Sequence, residues 1–266
     1  MKKAYYKRKR LYFLITLFLV LSGFFYTPSI NAIGDLPVIP GAHRGSSVEK
    51  VENTFEAIEM AVNDENYAFI EFDVQYTKDK QIVVFHDLSL FRFQKQFYKV
   101  GDLTYDQLVK ISRYNVPLYE EVMDLIGDEK KVNIEIKSQG NLEDDKEIIE
   151  FIIEDSQERG ISESILFSSI SKDVIKYIKD THPELKVGQI FLTMTATYFN
   201  MDYFTESFYQ DVEETGADYL MLHGINIRNI QSLVKLKPAD KTLVFWYFDN
   251  QMYVVDEEGQ DSWLEV

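Results

Sequence analysis

From Leu118 to Phe248, short runs of aliphatic and aromatic residues alternate with stretches of helical period, and this alternation limits the chain to folds built on a parallel sheet. A helix near Leu118–Ile126 leads to a strand at Val132–Ile136, a helix near Asp144–Glu158 and a strand at Ile165–Phe167. A helix near Asp173–Thr181 and a strand at Val187–Ile190 follow, then an irregular or helical stretch to Thr215. A strand at Tyr219–Leu222, a helix near Ile227–Leu236 and a strand at Leu243–Phe248 complete the series. Parallel neighbours need a crossover between them, which the helices supply. The chain has 266 residues. Eight strand–helix units typically take about 250, so a closed TIM-type (β/α)8 barrel fits better than an open doubly wound sheet.

The N-terminal half supplies the remaining strands. Val38–His43 reads as a short buried strand, with Gly41 and Gly45 loosening the backbone near its end. Asn53 or Thr54 is placed to cap a helix carrying Phe55, Ile58, Ala61 and Val62 on one face. In Phe69–Val74 the residues Phe69, Glu71 and Asp73 share one face, and Ile70, Phe72 and Val74 share the other. The next strand, Gln81–Phe85, follows too soon for a parallel crossover, so the two form a hairpin through Thr77–Lys80. Residues 87–116 are aromatic and irregular, and read as a long loop or small inserted lobe over the site.

Polar residues with chemical potential gather at the ends of these strands. His43, Arg44, Glu52, Glu71, Asp73 and His86 lie within one short stretch, and Glu135, Lys137, Ser168, His223 and Asp249 fall at or near the C-terminal ends of later strands. In a barrel those ends form the mouth. Imidazoles move protons, carboxylates two residues apart on a strand can share a hard cation such as Mg²⁺ or Ca²⁺, and a guanidinium matches a phosphate. Each group also has a blander reading: a solvated acidic strand face for Glu71 and Asp73, a local ion pair for Lys137, and core packing for Trp246, whose alternative is a wall for a bound ligand. His182, beside Pro183, reads as a surface helix end without a role.

Residues 1–32 differ from the rest. Lys2, Lys3, Lys7, Arg8, Lys9 and Arg10 precede an apolar run, Leu11–Tyr26, and a polar end at Ala32. That pattern predicts an export signal or a retained N-terminal membrane anchor, either of which places the domain of residues 33–266 outside the cytoplasm. Without the six basic residues of the leader, 22 Lys and Arg face 44 Asp and Glu. A nucleic-acid partner is excluded by that charge, and a phosphate-bearing substrate must be drawn in by a local cation and a few basic side chains. With no cysteine, disulfides and thiolate chemistry are excluded as well.

The motifs His43-Arg44-Gly45, Glu52-Asn53-Thr54, Glu71-Phe72-Asp73-Val74, Thr77-Lys78-Asp79, His86-Asp87 and Ile134-Glu135-Ile136-Lys137, in this order, resemble those of the glycerophosphodiester phosphodiesterase family. The resemblance implies an α/β barrel that hydrolyses glycerophosphodiesters to glycerol phosphate and an alcohol with one divalent cation. It further implies His43 and His86 as the acid/base pair, Glu71, Asp73 and Glu135 as metal ligands, Arg44 and Lys137 as phosphate contacts, and Glu52 as the support of Arg44. Three departures stand out. Val51 replaces a proline, Leu90-Phe91-Arg92-Phe93 replaces an arginine- and threonine-rich run, and the family's last strand has no recognisable counterpart. Closure of the barrel then falls to Met252–Val255 or Ser262–Val266, or the barrel edge is left unpaired. The aromatic lobe also suits a phospholipase D-like enzyme acting on lysophospholipids or sphingolipids, and the unusual C-terminus suits a non-catalytic, membrane-tethered head-group-binding barrel.

Overall fold

The computed structural model describes residues 36–192, 202–248, 251–255 and 263–264. The leader and Asp249 lie outside them, as does all of Ser262–Val266 except Trp263 and Leu264. Nine strands are described: β1 Val38–His43, β2 Phe69–Tyr76, β3 Ile82–Val84, β4 Lys131–Ile136, β5 Ile165–Ser169, β6 Lys186–Phe191, β7 Tyr219–His223, β8 Thr242–Phe248 and β9 Gln251–Val255. The described helices are α1 Phe55–Val62, α2 Phe91–Gln94, α3 Tyr105–Ile111, α4 Tyr119–Ile126, α5 Leu142–Arg159, α6 Lys172–Thr181, α7 Asp202–Thr215 and α8 Ile230–Leu236.

The sheet closes on itself. Its order is β1, β9, β8, β7, β6, β5, β4, β2, with β1 and β2 also paired, while β3 hangs on β2 as the antiparallel arm of the expected hairpin. Seven strands of the ring are parallel; β9 runs against both neighbours, pairing Val38 with Val255 and Gly41 with Met252 on one side and Leu243 with Val255 on the other. Of the two predicted closures it is thus Met252–Val255 that completes the ring. An antiparallel strand can follow β8 directly, without the helical crossover that a parallel one would need.

The strict alternation of β2 sorts its side chains. Ile70, Phe72 and Val74 point into the layer between barrel and helices, with Ile58, Val122, Met123 and Ile149 among their neighbours in that core. Fully burying such a side chain contributes roughly 1.5–3 kcal/mol. Phe69 points inward and joins Leu166, Tyr219, Met221, Val244, Met252, Val254 and Trp263, which fill the barrel's lower half. Gly41 permits this, since a Cβ there would lie 2.1 Å from the Phe69 ring. With the floor packed, Glu71 and Asp73 are held one and two layers higher, towards the mouth.

Two regions take the more ordered of the alternatives expected for them. The lobe after β3 carries α2, α3 and a capping box between Thr104 and Gln107, and has its own core of Val83, Phe85, Leu90, Val100, Leu103, Leu108 and Val116. The stretch before Thr215 includes the 14-residue α7. Conversely, the helix expected from Ile227 starts later, because Gly224–Asn229 forms a 3-10 turn. There the His223 ring accepts from the Ile225 amide at 3.1 Å and the Asn226 side chain donates to the His223 carbonyl at 3.0 Å, so side chains take bonding that an α-helix would use.

Candidate active site

The turn after β1 is built around two left-handed residues in succession. Arg44 has φ 60° and Gly45 φ 74°. Gly45 is required twice, because a Cβ would also lie 2.6 Å from the Ala57 carbonyl carbon. The turn is tied down by the Gly45 amide to the Glu71 carbonyl (3.2 Å), the Ser46 amide to the Ala57 carbonyl (2.8 Å) and the Asn53 amide to the Arg44 carbonyl (3.0 Å). Asn53 is itself left-handed, φ 56°. Thr54 is the cap of α1, accepting from the Ala57 amide, which frees the Asn53 side chain to donate to Asp73 Oδ2 at 2.7 Å. Non-glycine residues at positive φ are costly, and their presence here fixes His43 and Arg44 at the mouth.

Three carboxylates converge inside the barrel. One oxygen from each of Glu71, Asp73 and Glu135 lies within 4.8 Å of the others, and all three residues are buried. Asp73 and Glu135 are register partners on β2 and β4. Lys137, just past the end of β4, places Nζ 2.6 Å from Glu135 Oε1 and 2.9 Å from Asp73 Oδ1, and Arg44 Nε lies 3.3 Å from Asp73 Oδ2. Burial alone would raise Asp73, but Lys137 and Arg44 outweigh it and hold the carboxyl well below the usual range. Glu71 is pushed well above that range by burial and by Asp73 and Glu135. Burial likewise pushes Glu135 up to about 7 despite Lys137. Lys137 and Arg44 thus set two positive charges against three carboxylates, which leaves the cluster short of positive charge. An all-oxygen donor set with that deficit fits a hard divalent cation.

Both histidines face the same cleft. It is lined by His43, Arg44, His86, Glu135, Lys137 and Trp246, with Ile170, Ile190, Leu192 and Met252. His43 Nε2 stands 3.8 Å from Glu71 Oε2; burial first, then Arg44, keeps the ring's pKa well below its ordinary value, so it is neutral. His86 Nδ1 is 2.7 Å from Asp87 Oδ1, which leaves Nε2 as the nitrogen able to exchange a proton. The Trp246 ring stands 6.3 Å from that of His43 and meets His223 edge-on at 4.9 Å.

Glu52 bonds Arg44 Nη1 at 2.8 Å, the contact expected of it. It is shared with Arg92 of the lobe, whose Nη1 donates to Glu52 Oε2 at 2.8 Å and whose Nε donates to Asp87 Oδ2 at 2.7 Å. All nine residues singled out for the site therefore come together. Arg92, Asn53 and Gln75 are additions. Gln75 Nε2 holds the carbonyls of Phe85 (2.7 Å) and Asp87 (3.0 Å) on either side of His86. The one available signal was position: Gln75 is next but one after Asp73 on the inward face of β2.

Comparison with known proteins identifies the family. A glycerophosphodiester phosphodiesterase of Caldanaerobacter subterraneus subsp. tengcongensis is 34% identical over 161 residues, 56% of this chain and 65% of that protein. A mouse lysophospholipase D is 36% identical over 112 residues, 41% of this chain and 31% of its own length, so the chain spans less than two thirds of either relative. An Oleispira antarctica phosphodiesterase, solved with the product sn-glycerol-3-phosphate, shares the barrel with a TM-score of 0.62 at 21% identity, covering 80% of this chain and 85% of that one. The model of the glycerophosphoryl diester phosphodiesterase family matches residues 43–264, and the chain belongs to that family.

Proposed function

We propose that the chain hydrolyses glycerophosphodiesters to glycerol 3-phosphate and an alcohol, with a divalent cation held by Glu71, Asp73 and Glu135. The observation that carries this reading is the meeting of two imidazoles, two cationic side chains and three buried carboxylates at one cleft. Arg44 and Lys137 bind the phosphate and stabilise its developing charge. His43, kept neutral by burial, takes a proton from the attacking water, whose oxygen bonds to phosphorus as the bond to the alcohol breaks, and His86, with its ring oriented by Asp87, gives a proton to the departing alcohol oxygen. When bound, the cation supplies Lewis-acid polarisation of a phosphoryl oxygen. Trp246 walls the glycerol or head group.

Glycerol phosphate release from several glycerophosphodiesters, with and without chelator, tests substrate class and metal need together. His43→Ala and His86→Ala should each lower turnover by roughly 10²–10⁴-fold with the fold intact. Near-parental turnover in either variant rejects its role. A second reading, hydrolysis of lysophospholipids, is favoured by exposed aromatic residues beside the cleft, and rates on glycerophosphocholine and lysophosphatidylcholine separate the two. Residues 1–32 direct the enzyme out of the cytoplasm in this reading; recovery of the protein with cytoplasmic markers on cell fractionation would sink that part.

A further inference from the structure

The lobe after β3 buries its own core and still leaves three aromatic rings in water. Phe97 is 83% exposed, Tyr98 57% and Phe91 47%, although the segment's aliphatic core is complete beneath them. Phe91 and Phe97 stack at 4.9 Å, so the exposed rings form one surface. Ile170 and Leu192, which line the cleft, are exposed apolar residues as well. Charge singles out the same place. Leu88–Lys99 contains Arg92, Lys95 and Lys99 and no acid, in a chain of net charge −16. Arg92 is spent on Glu52 and Asp87, whereas Lys95 and Lys99 stand exposed around the rings.

We infer that this rim docks onto a lipid surface, with Phe97, Tyr98 and Phe91 entering the headgroup boundary and Lys95 and Lys99 meeting anionic lipid. Exposed aromatic rings flanked by lysines suit an interface that is apolar on one side and wet on the other. The long-range field of so acidic a protein opposes approach to anionic lipid, which is why the basic charge must be local, at the point of contact. A protein partner seated here would cover the cleft. A fluid surface leaves it open to molecules drawn from that surface. Arg92 couples the lobe to the site through Glu52 and Asp87, so docking by these rings presents the mouth to the lipid.

The inference goes beyond the proposed reaction and does not need it. Its test is a tryptophan placed in the full chain at position 97 (Phe97→Trp) and, separately, in the exposed turn entering β5 at the opposite end of the barrel (Glu163→Trp). Each is compared with the unsubstituted chain on vesicles of phosphatidylcholine and phosphatidylglycerol, with and without bromine on the acyl chains. The added emission of Phe97→Trp should fall by about half with brominated lipid, as for a ring inserted to the acyl boundary, and that of Glu163→Trp should not change. No bromine-dependent loss at position 97, or an equal loss at both positions, overturns the proposal. Self-association through the lobe without quenching overturns it too and assigns the rim to a second copy. Because quenching requires no turnover and the chelator assay requires no lipid, either idea can fail alone.

Discussion

Glu71 and Asp73 sit two residues apart on one strand, yet burial and charge drive their carboxyls in opposite directions. Asp73 has Lys137 and Arg44 beside it; Glu71 has mostly other acids. In the metal-free protein Glu135, raised to about 7 from an ordinary 4.5, binds more protons folded than unfolded. Its contribution to stability is therefore present below about 4.5 and lost as pH climbs through about 7. Asp73, already ionised in both states across that window, adds no slope, whereas His43, neutral when folded, contributes the opposite sign below its ordinary pKa. Glu71, raised in part by Glu135, adds a slope of the same sign, and Glu135→Gln removes the one and relieves the other: chelated parent should lose Tm relative to the variant as pH rises. The Tm gain on adding Mg²⁺ or Ca²⁺ should grow over the same window, because the ion competes with protons. A pH-independent gain would reject the carboxylates as ligands. Gly45→Ala should cost roughly 2–3 kcal/mol in urea unfolding, since positive φ and the Ala57 carbonyl both oppose a side chain. The charged residues of the site other than Arg92 were legible in the sequence. Asn53, equally consistent with a helix cap, was not assigned to Asp73, because that bond exists only once β2 lies beside the turn.

At the scale of elements, period-2 and period-3.6 patterning located eight of the nine described strands, and the short gap after β2 specified the hairpin; β9 was one of two segments offered for closure. Patterning failed where short-range hydrogen bonds decide the outcome, at the 3-10 turn after β7 and in the lobe, whose α2 has only four residues. The lobe's coupling to the site was also illegible, since Arg92 reaches Glu52 forty positions away in sequence. Arg92→Ala should release Asp87 and Glu52 together and lower kcat for glycerophosphodiesters by roughly tenfold, the order found when groups that orient a site are removed. KM should move less, as Arg44 and Lys137 remain. Arg92→Lys keeps the charge but not the fork, and should recover only part of the loss. Unchanged kcat in Arg92→Ala would separate the lobe from the chemistry.

For the whole molecule, the decisive element is the last strand. β9 is short and antiparallel, yet it satisfies two edges at once, β1 and β8. The sequence announced the departure, because the last strand of the family it resembles has no recognisable counterpart at the C-terminus, but left two candidate segments. The structure uses both in different roles: Gln251–Val255 closes the wall, and Trp263, 3% exposed, packs its ring 5.3 Å from Phe69 on the barrel axis. β1 carries His43 at its end, so its register depends on what lies on either side: β2 through Gly41 to Phe69, and β9 through Gly41 to Met252. Deleting residues 251–266 should therefore expose two unpaired edges and the apolar barrel interior, giving association or insolubility with loss of activity. Trp263→Ala is the gentler probe. It keeps the wall and should cost roughly 3–5 kcal/mol as a buried large-to-small change, with kcat near the parent's at temperatures where the barrel remains folded. A deletion that stays monomeric, with parental Tm and turnover, would mean that β1 is held by β2 alone and that the hairpin is dispensable.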